Sequence, residues 1–129
     1  MSLTIDHISI GVRNIEAART FYDAVLEPLG IRRLYDGLDF AAYGKDDKDD
    51  LSIHQGGEAW CPDPKVHIAF CAGSREAVEA FHRRGLDAGG RDDGAPGIRE
   101  DYGEDYFAAF LRDPDGQRIE AVCRLKEQA

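Results

Sequence analysis

Asp6-His7-Ile8-Ser9-Ile10-Gly11 and Val66-His67-Ile68-Ala69-Phe70-Cys71 stand sixty positions apart and read as two copies of one segment. The same offset carries Glu16 onto Glu76, Ala17 onto Ala77, Phe21 onto Phe81 and Gly30 onto Gly90. One such match is within chance; five at a single register describe a tandem repeat of one supersecondary unit. Histidine occupies the same place in both copies. Equivalent histidines at a pseudo-twofold axis are a means of building a metal site between two half-modules.

Within each copy the residues alternate. Ile8, Ile10 and Val12 share one face of a strand and His7, Ser9 and Gly11 the other; Val66, Ile68 and Phe70 likewise oppose His67, Ala69 and Cys71. One face is apolar enough to pack on a helix, while the other is small and polar and carries the histidine. That pattern predicts a sheet with a helix behind it and a cavity in front. Asn14 is placed to cap a first helix whose buried stripe is Ile15, Ala18, Phe21, Val25 and Leu29, ending at Pro28 and Gly30. Ser74 starts a second helix through Ala77, Val78 and Phe81, which stops at Gly89-Gly90.

Further strands are predicted at 31–35, 40–43 and 51–55 in the first copy and at 106–112 and 117–125 in the second. The turn Asp113-Pro114-Asp115-Gly116 joins the last two. The Gly- and Asp-rich stretch 91–105 predicts a weak strand followed by an active-site loop. Residues 56–64, with Gly-Gly, Trp60, Pro62 and Pro64, read as a linker on which Trp60 packs against a module or caps a cavity. One domain over 1–129 therefore divides into module one at about 3–55 and module two at about 65–125.

A length of 129 residues suits one compact domain. Apolar residues at 43% and charged residues at 32% exclude a disordered or membrane-embedded chain. No apolar run approaches the ~20 residues that span a bilayer, and the first residues lack the basic start of a secretory leader. Cys61, Cys71 and Cys123 are odd in number and show no CxxC spacing, which fits small buried thiols in a reduced, cytoplasmic setting. A net charge of −9 argues against nucleic acid and anionic membranes as partners. Much of it is local, in Asp46, Asp47, Asp49 and Asp50 and in Glu100, Asp101, Glu104 and Asp105. Both clusters read as solvated loops, and the first lacks the glycine and glutamate that a calcium loop needs.

Glu120 is the residue least at home in its surroundings, Arg118-Ile119-Glu120-Ala121-Val122-Cys123. An ionised carboxylate in an apolar strand costs several kcal/mol unless a cation or strong donors compensate it. Parity sets Glu120 opposite Ile119, Ala121 and Cys123, hence toward the cavity. With His7 and His67 it makes a set of two histidines and one carboxylate from three strands, suited to Fe, Mn, Zn or Ni with positions left open. The competing reading keeps the histidines structural and pairs Glu120 with Arg99 or Arg118.

The segment Asp6-His7-Ile8-Ser9-Ile10-Gly11-Val12 followed by Arg19-Thr20-Phe21-Tyr22, and the segment from Phe110 through Asp113-Pro114-Asp115-Gly116 to Glu120, resemble the opening and closing signatures of the vicinal oxygen chelate superfamily. Glyoxalases, fosfomycin-resistance transferases, extradiol dioxygenases and bleomycin-binding proteins belong to it. The resemblance implies an α+β fold of two tandem βαβββ modules, forming a curved mixed-sheet cleft with helices on the outer face. It also implies a divalent metal on His7, His67 and Glu120, with His67 opening the second module. Glyoxalases with four ligands carry a further Glu near Ser52; serine is a poor ligand, and His54 shares its parity. No basic cluster suited to a phosphonate stands out. Tyr102, Tyr106, His54 and Arg99 are the other polar groups expected at the cleft, with Tyr102 or Tyr106 donating to a developing enolate; Ser9 and Cys71 share the cleft-facing parity.

Two functions follow as expectations. The first is a metal-dependent enzyme of lyase, isomerase or dioxygenase type acting on a small substrate chelated through vicinal oxygens. The second is a metal-free protein that sequesters a ligand, of the bleomycin-resistance kind, which the acidic charge suits if the ligand is cationic. Sheet edges and apolar helix flanks favour a homodimer in either case.

Overall fold

Asn14 and Ser74, again sixty positions apart, start the two helices in the same way: each side chain accepts a hydrogen bond from the backbone N–H three residues on, Ala17 at 3.0 Å and Ala77 at 3.1 Å. Glu16 and Glu76 sit in the first turns, where the helix dipole favours an acid. The repeated Glu-Ala pair is thus a repeated helix start. The computed structural model describes residues 4–56 and 65–126, so the linker reading, Trp60 and Cys61 lie outside the described residues apart from Gly56.

The first module runs β1 (Ile8–Val12), α1 (Ile15–Leu26), a single 3-10 turn (Glu27–Leu29), β2 (Arg32–Asp36), β3 (Phe40–Lys45) and β4 (Lys48–Gln55). The second runs β5 (His67–Cys71), α2 (Arg75–Asp87), β6 (Arg91–Ile98), β7 (Phe107–Arg112) and β8 (Arg118–Cys123). Each module folds into a four-stranded mixed sheet of one topology, β1-β4-β3-β2 and β5-β8-β7-β6, whose first strand pairs parallel with its last. These are two tandem βαβββ units in an α+β fold. Among the described residues no helix is long and apolar enough to cross a membrane.

The predicted helix stripes are buried: Ile15, Ala18, Phe21, Val25 and Leu29 on one side, Val78 and Phe81 on the other, with Ala77 partly covered. Tyr22, Leu26, His82 and Gly85 join them. The helices cover one face of each sheet and touch each other, so a single core cluster runs from Val12 to Cys123. Phe21 and Phe81 are fully buried, each contributing about 1.5–3 kcal/mol by removal from water. The opposite face of each sheet stays open, as the parity of His7 and His67 required.

Two expectations change, one at the acidic run and one at Cys71. The acidic run 46–50 is a hairpin: Lys45 pairs with Lys48 across a two-residue turn, with Asp46 in the left-handed region at φ 52° and Asp49 and Asp50 in β4. Lys48, between Asp6 at 3.5 Å and Asp50 at 3.8 Å, offsets part of that charge. The stretch after α2 forms, as expected, a weakly paired strand and then a loop: an eight-residue edge strand with two register shifts, tied to the helix by His82, whose Nε2 lies 2.8 Å from Asp92 Oδ1. Cys71 is exposed on the open face, whereas Cys123 is buried as expected.

Candidate functional site

On the second sheet the strand registers put Ala69 opposite Glu120 and Glu120 opposite Phe110. The β8 residues Ile119, Ala121 and Cys123 go into the main core, while Glu120 and Val122 face the other way. There Val122, Ala108 and Phe110 form a small second apolar cluster flanked by Tyr106. Glu120 is only 2% exposed. Its Oε2 accepts a 2.5 Å bond from the Tyr106 hydroxyl, and its Oε1 lies 3.1 Å from His67 Nε2. Burial first, and the Glu120 bond second, push the Tyr106 hydroxyl up to about 12.

Arg118, on the same face as Glu120, pairs with Asp93 Oδ2 at 2.9 Å, an oxygen shared with Arg112 at 3.2 Å. Arg99 bonds the Ala95 carbonyl at 2.7 Å. Neither arginine is the counter-ion of Glu120, so the arginine pairing expected in the competing reading is not formed. Both guanidiniums instead flank the Phe110 ring, Arg118 at 4.4 Å and Arg99 at 5.5 Å from its centroid. An arginine pair therefore lies on this face, offset by Asp93, Glu100 and Asp101 in the same cavity. The pair comes from a strand and a loop, and one-dimensional spacing gave no sign of it. Tyr102 is 66% exposed, with its ring 5.2 Å from that of Tyr106. An open cavity of about 580 Å³ runs beside these groups, lined by Asp93, Gly94, Arg99, Tyr102, Phe110 and Arg118 among others.

The open face of the first sheet carries the other expected residues. A cavity of about 620 Å³ is lined by His7, Ser9, Tyr35, Phe40, Ser52 and His54, with Ala42 and Asp49. Ser9 and Ser52 share a 2.7 Å hydrogen bond, and His54 Nε2 lies 3.1 Å from Ser52 Oγ. Phe40 stacks on His54 with an interplanar angle of 18°. His7 is half exposed and its Nδ1 lies 2.8 Å from Asp6 Oδ1, a contact that pulls the Asp6 carboxyl below its usual range.

The structure thus brings His67 and Glu120 together and places His7 on the other sheet. Among the described residues no cluster of three or more His, Cys, Asp or Glu is spaced to hold a metal. His67 and Glu120 nevertheless fit two positions of one coordination sphere. Ligands at ~2.0–2.2 Å from an ion, held at angles of about 90–110°, have donor atoms roughly 3–3.5 Å apart. The 3.1 Å separation lies in that range. Tyr106 on the second oxygen is the kind of outer partner that orients a ligating carboxylate.

Residues 4–121 match the family model described as the glyoxalase/bleomycin resistance protein/dioxygenase superfamily. Among solved structures, a glyoxalase/bleomycin resistance protein from Albidiferax ferrireducens T118 is 31% identical, with TM-score 0.83 over 95% of this chain and 100% of that one. Two more distant structures share the fold. A glyoxalase-related enzyme from Fulvimarina pelagi is 19% identical, with TM-score 0.71 over 93% of this chain and 87% of that one. The fosfomycin resistance protein FosX from Mesorhizobium loti is 20% identical, with TM-score 0.68 over 95% and 93%. No functionally curated sequence matches the chain. Repeat, topology and family model agree: the chain belongs to the glyoxalase/bleomycin resistance protein/dioxygenase superfamily.

Proposed function

We propose that the protein is a divalent-metal-dependent enzyme, of lyase, isomerase or dioxygenase type, whose small substrate is bound through vicinal oxygens at the Glu120 face. The observation that carries this reading is a mid-strand carboxylate, 2% exposed, with a histidine nitrogen 3.1 Å away on the open side of the sheet. His67 and Glu120 would hold the ion. His7 is the third ligand, delivered by a second copy of the chain whose first sheet faces the second sheet of this one. When bound, the metal supplies Lewis-acid stabilisation of negative charge on substrate oxygen.

The chain's own groups have separable tasks in this reading. Tyr106 fixes the Glu120 carboxylate in one orientation through Oε2, leaving Oε1 for the reacting side. Phe110 floors the cleft and excludes water from beneath the substrate. His54, with Ser52 and Ser9 in a hydrogen-bonded row, lies on the face that the second copy brings across and is placed to hold a proton at Nε2.

A second reading, a metal-free protein that sequesters its ligand, draws support from the same carboxylate. Both Glu120 oxygens already have partners, so its charge is compensated without a cation. Metal analysis of protein purified without chelators separates the two readings. About one ion per chain in the wild type, falling severalfold in Glu120→Ala, supports the enzyme. Equal content in both proteins, with ligand binding unchanged after chelator treatment, supports the binder.

A further inference from the structure

The edge strand β6 contains an arginine seat. Two register shifts interrupt its pairing with β7, one on either side of Gly94. Across this irregular edge the Arg99 side chain folds back, donating from Nη2 to the Ala95 carbonyl at 2.7 Å, with the guanidinium carbon 5.5 Å from the Phe110 centroid. The glycines of the strand make the room. A Cβ at Gly94 would stand 3.2 Å from Arg99 Nη2 and 3.0 Å from Phe110 Cδ1, and one at Gly97 would stand 3.2 Å from Arg99 Nη1. Such approaches are tighter than ordinary van der Waals contact, so a side chain at either position would push the guanidinium from this seat by a few tenths of an ångström.

The seated guanidinium has spare capacity. A guanidinium has five N–H donors, and the Ala95 carbonyl takes one of them. Asp93, the nearest carboxylate along the strand, is engaged by Arg118 and Arg112 through one oxygen. Glu100 and Asp101 line the same cavity but are exposed and form no ion pair with Arg99 among the described residues. Arg99 is thus a half-buried cation whose partners are a carbonyl and an aromatic face. The register places it with respect to Glu120. Glu120 on β8 pairs with Phe110 on β7, which pairs with Gly94 on β6. Two strand spacings, roughly 10 Å, separate the two ends, with the Phe110 ring between them.

We infer that Arg99 is a carboxylate clamp, and that the ligand of this cleft is a small organic acid. Its oxygen-bearing end meets Glu120 and His67, its flat or apolar middle lies over Phe110, and its carboxylate takes the Arg99 fork. A planar carboxylate matches the fork with two parallel hydrogen bonds, which a neutral amide cannot do. The inference deepens the metal reading of the Glu120 face and rests on it for the oxygen-bearing end only.

Calorimetric titration of Zn(II)-loaded protein with 4-carboxybenzohydroxamate and its neutral isostere 4-carbamoylbenzohydroxamate tests the clamp. The acid should bind about tenfold tighter or better, the increment of a charge-assisted hydrogen bond. In Arg99→Gln the two probes should bind alike. Arg99→Lys should keep part of the preference, and Gly97→Ala, which crowds the guanidinium and keeps the charge, should reduce it. No preference in the wild type, or one unchanged in Arg99→Gln, overturns the clamp. The metal reading fails separately, if neither probe distinguishes loaded from metal-free protein. The clamp is also read with no metal present: saturating benzoate should shift the Arg99 Nε–H resonance, and an unmoved resonance counts against it.

Discussion

Ser52 and Glu120 are counterparts. Ser9 pairs with Ser52 in the parallel β1–β4 ladder, and Ala69, sixty residues after Ser9, pairs with Glu120 in the β5–β8 ladder. Two sheets of one topology thus carry a hydroxyl and a carboxylate at the same place. The hydroxyl needs no cation and is satisfied by Ser9 and His54; the carboxylate is buried between Tyr106 and His67. One module buries a charge at this place and the other a neutral hydroxyl.

The two positions should respond differently to loss of a partner. Ser52→Ala removes two hydrogen bonds from residues that reach solvent, and should cost under about 1 kcal/mol. Tyr106→Phe leaves a buried carboxylate oxygen without its donor, and should cost about 1–3 kcal/mol. Urea unfolding near neutral pH measures both; equal costs would contradict this difference.

Alkaline pH should weaken the fold through its tyrosines. The Tyr106 hydroxyl is pushed up to about 12, while burial raises Tyr22 and Tyr43 as well. A group whose folded value lies above its unfolded value of 10 stabilises the native state below that value. The contribution is lost as the pH rises through the folded value. Stability should therefore fall from about pH 10 upward, and the fall up to about pH 12 should be shallower in Tyr106→Phe. Identical profiles would mean that Tyr106 titrates normally.

Module docking should hinge on Tyr22 and Asp113. The fully buried Tyr22 hydroxyl donates to Asp113 Oδ2 at 2.6 Å, while Asp113 Oδ1 accepts from the Asp115 and Gln117 backbone at 2.9 Å. Tyr22→Phe should cost about 1–3 kcal/mol. Burial, the largest influence, raises the Asp113 carboxyl above 3.8 despite its donors. The folded state therefore takes up this proton before the unfolded state does. The wild type should gain relative to Asp113→Asn as the pH falls through the raised value toward about 4. Parallel pH profiles for the two proteins would count against it.

Gly90 should resist substitution where Gly73 does not. A Cβ at Gly90 would stand 2.4 Å from Phe21 Cε1 and 2.9 Å from the Arg112 carbonyl, whereas one at Gly73 meets nothing within 4 Å. Gly90→Ala should cost about 1–3 kcal/mol through overpacking. Thermal unfolding should show a drop of several degrees in Gly90→Ala and little change in Gly73→Ala.

If His7 of one copy completes the site of another, two defective variants should repair each other. His7→Ala and Glu120→Ala each remove a ligand from every site of a homodimer. A mixed dimer would contain one intact site, with His7 from the Glu120→Ala chain and Glu120 from the His7→Ala chain. Random remixing should restore about one quarter of the wild-type metal content, since half the dimers are mixed and each regains one site of two. No recovery after remixing, or a single-chain mass by sedimentation, rules out the shared site.

Much of this was legible in one dimension. Alternation in the two His-containing segments, the caps Asn14 and Ser74 and the offset of sixty were enough for the modules, the helices and the inward or outward sense of Glu120. Parity also placed Ser52 and His54 on one face with Ser9. The hairpin at 46–50 was hidden because acidic residues mask a strand pattern, although Lys45 and Lys48 closed it. His82 and its Asp92 partner were invisible for a different reason: a polar residue in a helix stripe gives no sign of the strand that satisfies it.

What the sequence determined by itself is everything that depends on local period and capping: strand, helix, repeat and the open face of each sheet. Tertiary structure alone decided that the two open faces of one chain stay apart. Parity says that His7 and His67 look away from their helices, but α1 packs against α2, and the two faces line separate cavities. It also drew Arg99, Arg118 and Phe110 together from a loop and two strands, because register across β6, β7 and β8 is set by hydrogen bonds between segments far apart in the chain. Periodicity fixes the direction of a side chain; only packing fixes its neighbour.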